Sequence, residues 1–433
     1  GRATQGYSCN AEVIAHYGKT SSAASGGYRV HRYVDAAGHE CAYYDTTLLF
    51  PVAAAQPTTD LTGVYVLDMS NPRVPVRTDN LLTPAMESPH ESFSINQKRG
   101  LLAAVMAYPT FQPGVVDVYD ISADCRHPVL QSSTPLGLLG HEGEFSPDGN
   151  TYWATSLFTS TITAVDVSDP VVPKLLLSTQ NWTIHGLNIS DDGTRFYGAD
   201  TGSDPSVSGT DGTNGLTVLD ISDIQNRVEN PQIRLVSHLT WSTVSTPQTA
   251  IPVTITASDP PGTKATVHKY LVEVDEYGSG NKVGAGRMIN IDDEKNPYVV
   301  SNMRLQVHTP EAQAGDEKSD PGEGGTGLQG YRAHYCGVPQ RAEPGIVACS
   351  FIVSGLRVFD IRDPYKPVEI AYMNIAPAAT KTGQGGPYAM SQPSFVPERG
   401  EIWYSDGNSG FYNVHLTHGV WPFETSHGKP LKG

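Results

Sequence analysis

The sequence predicts an all-β chain: a seven-bladed β-propeller whose ring is closed by an N-terminal strand completing the last blade. Three observations carry that prediction. A short acidic turn phrase recurs along the chain, the recurrence fills all 433 residues, and the last unit lacks an outer strand that the N-terminus can supply.

The phrase is V-x-D-[IVM]-S-x-P. It stands as Val66-Leu67-Asp68-Met69-Ser70-Asn71-Pro72 and as Val165-Asp166-Val167-Ser168-Asp169-Pro170. Looser copies are Tyr119-Asp120-Ile121-Ser122, Leu219-Asp220-Ile221-Ser222 and Phe359-Asp360-Ile361-Arg362-Asp363-Pro364. Each follows a short apolar alternation and precedes a second one, which reads as strand, turn, strand. Repetition at roughly 45–70 residues with several strands per unit describes a radial array of small sheets. The aspartates, one per unit at a turn entry, read as Asx-turn residues rather than catalytic acids.

The third unit serves as the template. His141 to Phe145 is its inner strand and Ser146-Pro147-Asp148-Gly149-Asn150 its turn; three further strands reach Ser178. Laid along the chain, the template gives blades at residues 28–82, 88–135, 140–180, 184–240, 246–309, 331–376 and 391–416, one domain spanning 1–433. After Gly410 to Leu416 only a polar tail follows. Ala11 to Tyr17 copies the outer strand Val368 to Tyr372 and is expected to fill the gap, removing an open sheet edge.

Composition agrees. Forty-three Gly and 32 Pro supply turns, and no run of about 18 apolar residues predicts a membrane span. A net charge of −16 argues against nucleic acid, whose binding rests on clustered Lys and Arg.

The repeated phrase resembles the LVIVD-repeat proteins, a set of secreted bacterial and fungal propellers. That resemblance implies the fold and an extracellular setting, and it implies no agreed activity. Blade 5 departs from the pattern: Asn290 stands where other blades have Asp, and Ala257 to Thr263 lengthens a hairpin.

Five cysteines leave at least one unpaired or bridging chains. Cys336 and Cys349 fall on neighbouring strands and are expected to pair. Cys9 and Cys41 flank the closure and are a second candidate pair, which leaves Cys125 over. Of two glycosylation sequons, Asn181 is the expected acceptor, because Asn188 falls inside an inner strand.

Candidate chemistry lies on the axis. The inner strands begin with His90-Glu91, His141-Glu142, His185, His334 and Gln392, and equivalent positions in successive blades converge on one channel. His90, His141, His185 and His334, with Glu91 and Glu142, are therefore the candidate catalytic residues. Histidine and glutamate together can orient a substrate and move protons near neutral pH. The same four histidines are the candidate ligands if a single transition metal is present; the cofactor expectation is otherwise none. Long irregular segments around Tyr108 to Gly114, Thr201 to Asn214 and Glu311 to Gly330 gather on this face and suggest a lidded pocket. Tyr108, Phe111, Phe158, Trp241, Gln248 and Gln392 are its candidate substrate-binding residues.

The first reading is a secreted enzyme acting on a small, partly apolar organic molecule above the histidines, by a cofactor-free cyclisation or isomerisation. The second is a metal-dependent (Cu, Fe or Zn) hub enzyme. The third, from a different class, is a non-catalytic binding or scaffold propeller. The expected partner is a small-molecule ligand.

Overall fold

A computed structural model of the protein describes residues 6–18, 26–46, 63–106, 114–136, 140–157, 159–202, 213–241, 246–276, 284–309, 311, 332–375 and 388–424. These form seven antiparallel sheets, the seven blades. Blade 3 shows the plan: Glu142–Phe145 innermost, then Thr151–Ser156, Thr161–Asp166 and Lys174–Gln180 outermost. The inner strands all begin on one face, here called the histidine face. The turns joining first to second strands lie on the other, the turn face.

The repeated phrase does what its chemistry allows. The side chains of Asp68, Asp120, Asp166, Asp220 and Asp360 each accept a hydrogen bond from the backbone N–H two residues on, at 2.8–3.0 Å. In all seven blades the pairing of third and fourth strands slips by one residue. Such a bulge adds local twist to the outer edge of each blade.

Asn290 keeps this turn, accepting from Asp292 N at 2.9 Å, and gains a donor that aspartate lacks. Its amide nitrogen lies 2.7 Å from Asp259, which also accepts from the hydroxyls of Tyr270, Tyr298 and Tyr365. Asp259 belongs to the lengthened hairpin, whose strands run Pro247–Ala257 and Thr266–Asp275. The departure of blade 5 from the repeat is thus one compensated change: the extra hairpin brings a carboxylate, and Asn290 is neutral and can donate to it.

The ring closes as the sequence predicts. Ala11–Tyr17 pairs antiparallel with Gly410–Leu416 as the outer strand of blade 7. A second contact was not foreseen: Tyr7–Cys9 pairs with Val368–Asn374, giving blade 6 a fifth strand. Asn10 links the two, donating to Ile370 O at 2.7 Å and accepting from Thr417 N at 2.9 Å. The N-terminal segment therefore clasps two blades.

Cys336 and Cys349 are bridged across adjacent strands, as expected. The Cys9–Cys41 pairing is incorrect. Cys41 bonds Cys125, and Cys9 is a free, exposed thiol on the added edge strand. The reason is lateral packing: Asp35, in the first turn of blade 1, accepts from Cys125 N at 3.0 Å, drawing the blade-2 turn against Cys41. This bridge closes a separation of 84 residues. Replacing Cys41 and Cys125 together by Ser should cost about 2–4 kcal/mol in a urea melt. Cys9→Ser should change little, and a double variant melting like the parent would refute the pairing.

Asn181 is exposed, whereas Asn188 is buried and donates to Thr249 Oγ1 at 2.9 Å. No helix among the described residues is long and apolar enough to cross a membrane.

Candidate active site

The four histidines meet, and they meet around a carboxylate. Glu91 Oε2 lies 3.1 Å from His141 Nε2 and 3.3 Å from His185 Nε2; its Oε1 lies 3.2 Å from His334 Nε2 and 3.9 Å from His90 Nε2. The rings of His90 and His141 are 4.5 Å apart, those of His141 and His185 4.7 Å. All five side chains are buried. Blades 2, 3, 4 and 6 each contribute one imidazole, so the cluster exists only when the ring is assembled.

His90 is held at φ 47°, in the left-handed region, where a residue with a side chain is disfavoured. Strain of this kind, of order 1–3 kcal/mol, gathers at functional sites. Tyr28, not foreseen, packs its ring against His90 and His334 at 4.5 and 5.1 Å. The backbone N–H groups of Tyr28 and Arg29 donate to the two oxygens of Asp45, which fixes this entry segment.

Hydrogen bonding decides the protonation of two of the rings. His185 Nδ1 lies 3.1 Å from Pro247 O and His334 Nδ1 lies 2.6 Å from Met390 O. A carbonyl only accepts, so both Nδ1 atoms carry protons. Their Nε2 atoms face the Glu91 carboxylate, which also only accepts, and this arrangement favours the imidazolium form of His185 and His334. Burial pulls His185 down, yet Glu91 outweighs it and raises the ring to about 9; His334 is raised in the same way, with help from Glu276. Burial instead dominates at His90, held well below its ordinary value, and at His141, which is also lowered. Burial pushes Glu91 up, but the imidazoles win and hold it well below the usual carboxylate range.

Glu142 occupies a different place from the one expected. It is fully buried and touches none of the Nε2 atoms by any contact of the described residues. Its Oε1 accepts from Arg29 Nη2 and the Tyr335 hydroxyl, each at 2.6 Å, and its Oε2 accepts from Leu187 N at 2.6 Å. It is a strut joining blades 1, 3, 4 and 6. A Cβ at Gly186 would fall 2.0 Å from Glu142 Oε2 and from Gln248 O, so only glycine fits beside it. Burial still pushes Glu142 up, to about 7, against the pull of Arg29. Arg29 also donates to Glu91 O at 3.0 Å and to Gln392 Oε1 at 2.5 Å.

Of the expected substrate-binding residues, Tyr108, Phe111 and Phe158 lie outside the described residues. Trp241 is half-buried under the Arg287 guanidinium, 4.1 Å from its ring centre, among groups of blades 4 and 5. Gln392 braces Arg29. Gln248 is fully buried, next to the carbonyl that holds His185, and both of its amide atoms lack a hydrogen-bond partner among the described residues. An unsatisfied buried amide costs about 1–3 kcal/mol, which a water or ligand would relieve. Tyr28, Arg29, Tyr335 and Glu276 were missed. A signal existed for two of them: Tyr335 follows His334 as Glu91 follows His90, and Arg29 precedes the first inner strand.

One donor set could hold a divalent ion: His90, Glu91 and His141 offer ligand atoms all within 4.8 Å of one another. A second such group, Asp35, His39 and Asp124, lies at the blade 1–2 junction. There Asp35 is already saturated by backbone N–H groups and His39, and Asp124 by Arg126.

No family model matches the sequence, and no curated protein does. Among solved structures the chain is similar to a candidate 6-phosphogluconolactonase of Bacteroides uniformis (TM-score 0.53, 10% identity, 81% of this chain and 86% of that one). It is similar to Kuenenia stuttgartiensis hydrazine synthase (TM-score 0.52, 12% identity, 91% and 97%). It also matches Chaetomium thermophilum Raptor (TM-score 0.55, 10% identity), covering 96% of this chain and 29% of that one. At such identities the likeness is one of fold, and proteins with such different names sharing it illustrate that a propeller does not name a function.

Proposed function

We propose that the protein is an enzyme that transforms a small, partly apolar organic molecule on the histidine face of the hub, by proton transfer in a cyclisation or isomerisation. One observation carries this reading: four buried imidazoles surround a single buried carboxylate, which raises His185 and His334 while burial lowers His90 and His141. Environments that push neighbouring titratable groups apart supply an acid and a base together. His185 and His334 are the proton donors, His141 and His90 the acceptors, and Glu91 the common counter-charge. The unsatisfied Gln248 amide supplies a hydrogen bond to orient a bound polar group.

Native mass spectrometry of the protein mixed with fractionated small-molecule extracts should reveal a retained, converted ligand. His141→Gln and His185→Asn should keep a native circular dichroism spectrum and slow conversion at least 100-fold, the scale of a lost general acid or base. Variants that convert at the parental rate would return these rings to a structural role.

A second reading is favoured by the donor set of His90, Glu91 and His141: a transition-metal centre, with the Nδ1–carbonyl bonds of His185 and His334 orienting further nitrogens. Elemental analysis of protein purified without a histidine tag decides it. At least about 0.8 equivalents of one metal supports the centre, and less than about a tenth rules it out.

A further inference from the structure

We propose a second binding site, on the turn face, for a neutral hydroxyl-rich ligand: a short oligosaccharide. The site is a two-part groove. A cavity of about 560 Å³ occupies the axial mouth, and one of about 340 Å³ runs outward between blades 4 and 5, with Arg341 lining both. Each is of small-molecule size, and together they suit an extended ligand.

The three arginines of the groove are already matched, whereas Lys269, exposed on the outer cavity, has no ion pair among the described residues. Arg32 pairs with Glu40 and Glu398, Arg341 with Asp191 at 2.7 Å, and Arg195 with Glu294 at 2.8 Å. An anionic ligand would have to displace a carboxylate to gain any of these arginines, and would find only Lys269, at the outer end, without one. The uncharged polar lining is four amides, Gln97, Asn188, Gln340 and Gln392, with the hydroxyls of Ser394 in the mouth and of Ser190, Thr194 and Thr254 in the outer cavity. Each amide nitrogen also donates a hydrogen bond within the protein. Each amide both donates and accepts, which is what a hydroxyl requires of a partner. Phe395 in one cavity and Tyr197 in the other are buried core rings that reach the wall only at an edge, and add a small apolar contact. The groove is separate from the histidine cluster. Gln392, at its back, is bonded to Arg29, and Arg29 to Glu142, so a layer of paired side chains lies between them.

Saturation-transfer NMR and calorimetry with maltotriose and cellotriose test the site, with inorganic phosphate as competitor. Saturable binding of at least one trisaccharide is expected, on a scale of about 0.1–5 mM and insensitive to phosphate. Gln340 is exposed and Val338 half-buried, so Gln340→Trp and Val338→Trp should fill the mouth without unfolding the ring, and weaken binding at least tenfold. His185→Asn should leave it unchanged. No saturation by either sugar up to about 20 mM overturns the proposal. So do displacement by phosphate, equal affinity in both tryptophan variants, and loss of binding in His185→Asn, which would move the ligand to the hub.

Discussion

Glu91→Gln should abolish turnover and return His185 to, or below, the ordinary histidine range. The carboxylate is the largest influence opposing burial at that ring. Without it a doubly hydrogen-bonded imidazolium would be buried against a neutral amide, and proton loss relieves the cost. The sign of the pH dependence follows. In the parent, His185 is charged up to about 9, so activity that needs it as an acid should hold through neutrality and fall above that point. In Glu91→Gln any residual activity should already be falling near pH 6.5. Stability moves the same way: a folded value raised above the unfolded one stabilises fully below about pH 6.5 and is lost as pH rises through 9, a span of about 3 kcal/mol. Nitrogen-15 NMR of the imidazoles reads the ring directly. A parent His185 titrating near 6.5 would sink the assignment of acid and counter-charge.

Deleting residues 1–20 should leave a chain that aggregates or melts far below the parent. The loss unpairs two sheets at once, Gly410–Leu416 in blade 7 and Val368–Asn374 in blade 6. It removes Ala11 from the core cluster to which Val358, Val414 and Leu416 also belong, and the contacts of Tyr7 with Arg357 and Asn374. Two adjacent open edges template intermolecular pairing. Trimming the polar tail from Thr425 to Gly433, outside the described residues, is the control and should change little. Thermal melts and light scattering compare the two. A soluble, cooperative protein lacking residues 1–20 would show that the ring closes without its clasp.

The fold was legible because propeller blades repeat one local instruction. An aspartate at a turn entry bonds the chain two residues on wherever it stands, so the period of the turn is the period of the structure. The histidines were legible for the same reason, since equal register in different blades means convergence on the axis. What register could not show is which group the rings surround. Glu91 and Glu142 follow their histidines identically in sequence, yet one takes the Nε2 atoms and the other is captured by Arg29, Tyr335 and Leu187 N. That choice depends on neighbours from three other blades, and on Gly186 leaving room. The Cys41–Cys125 bridge was illegible for a related reason: it joins neighbouring blades through the lateral packing of two turns.

The clasp also sets the order in which the molecule can be made. Ala11 leaves the ribosome some 400 residues before its partner Leu416. At about 5–20 residues per second, the strand waits roughly 20–80 seconds for a mate. Throughout that interval its edge is available to any passing chain, and only the emergence of Gly410–Leu416 lets seven separate sheets become a ring. Crowded or accelerated expression should therefore fail at closure, trapping full-length chains whose blades are formed and whose ends have met the wrong neighbour.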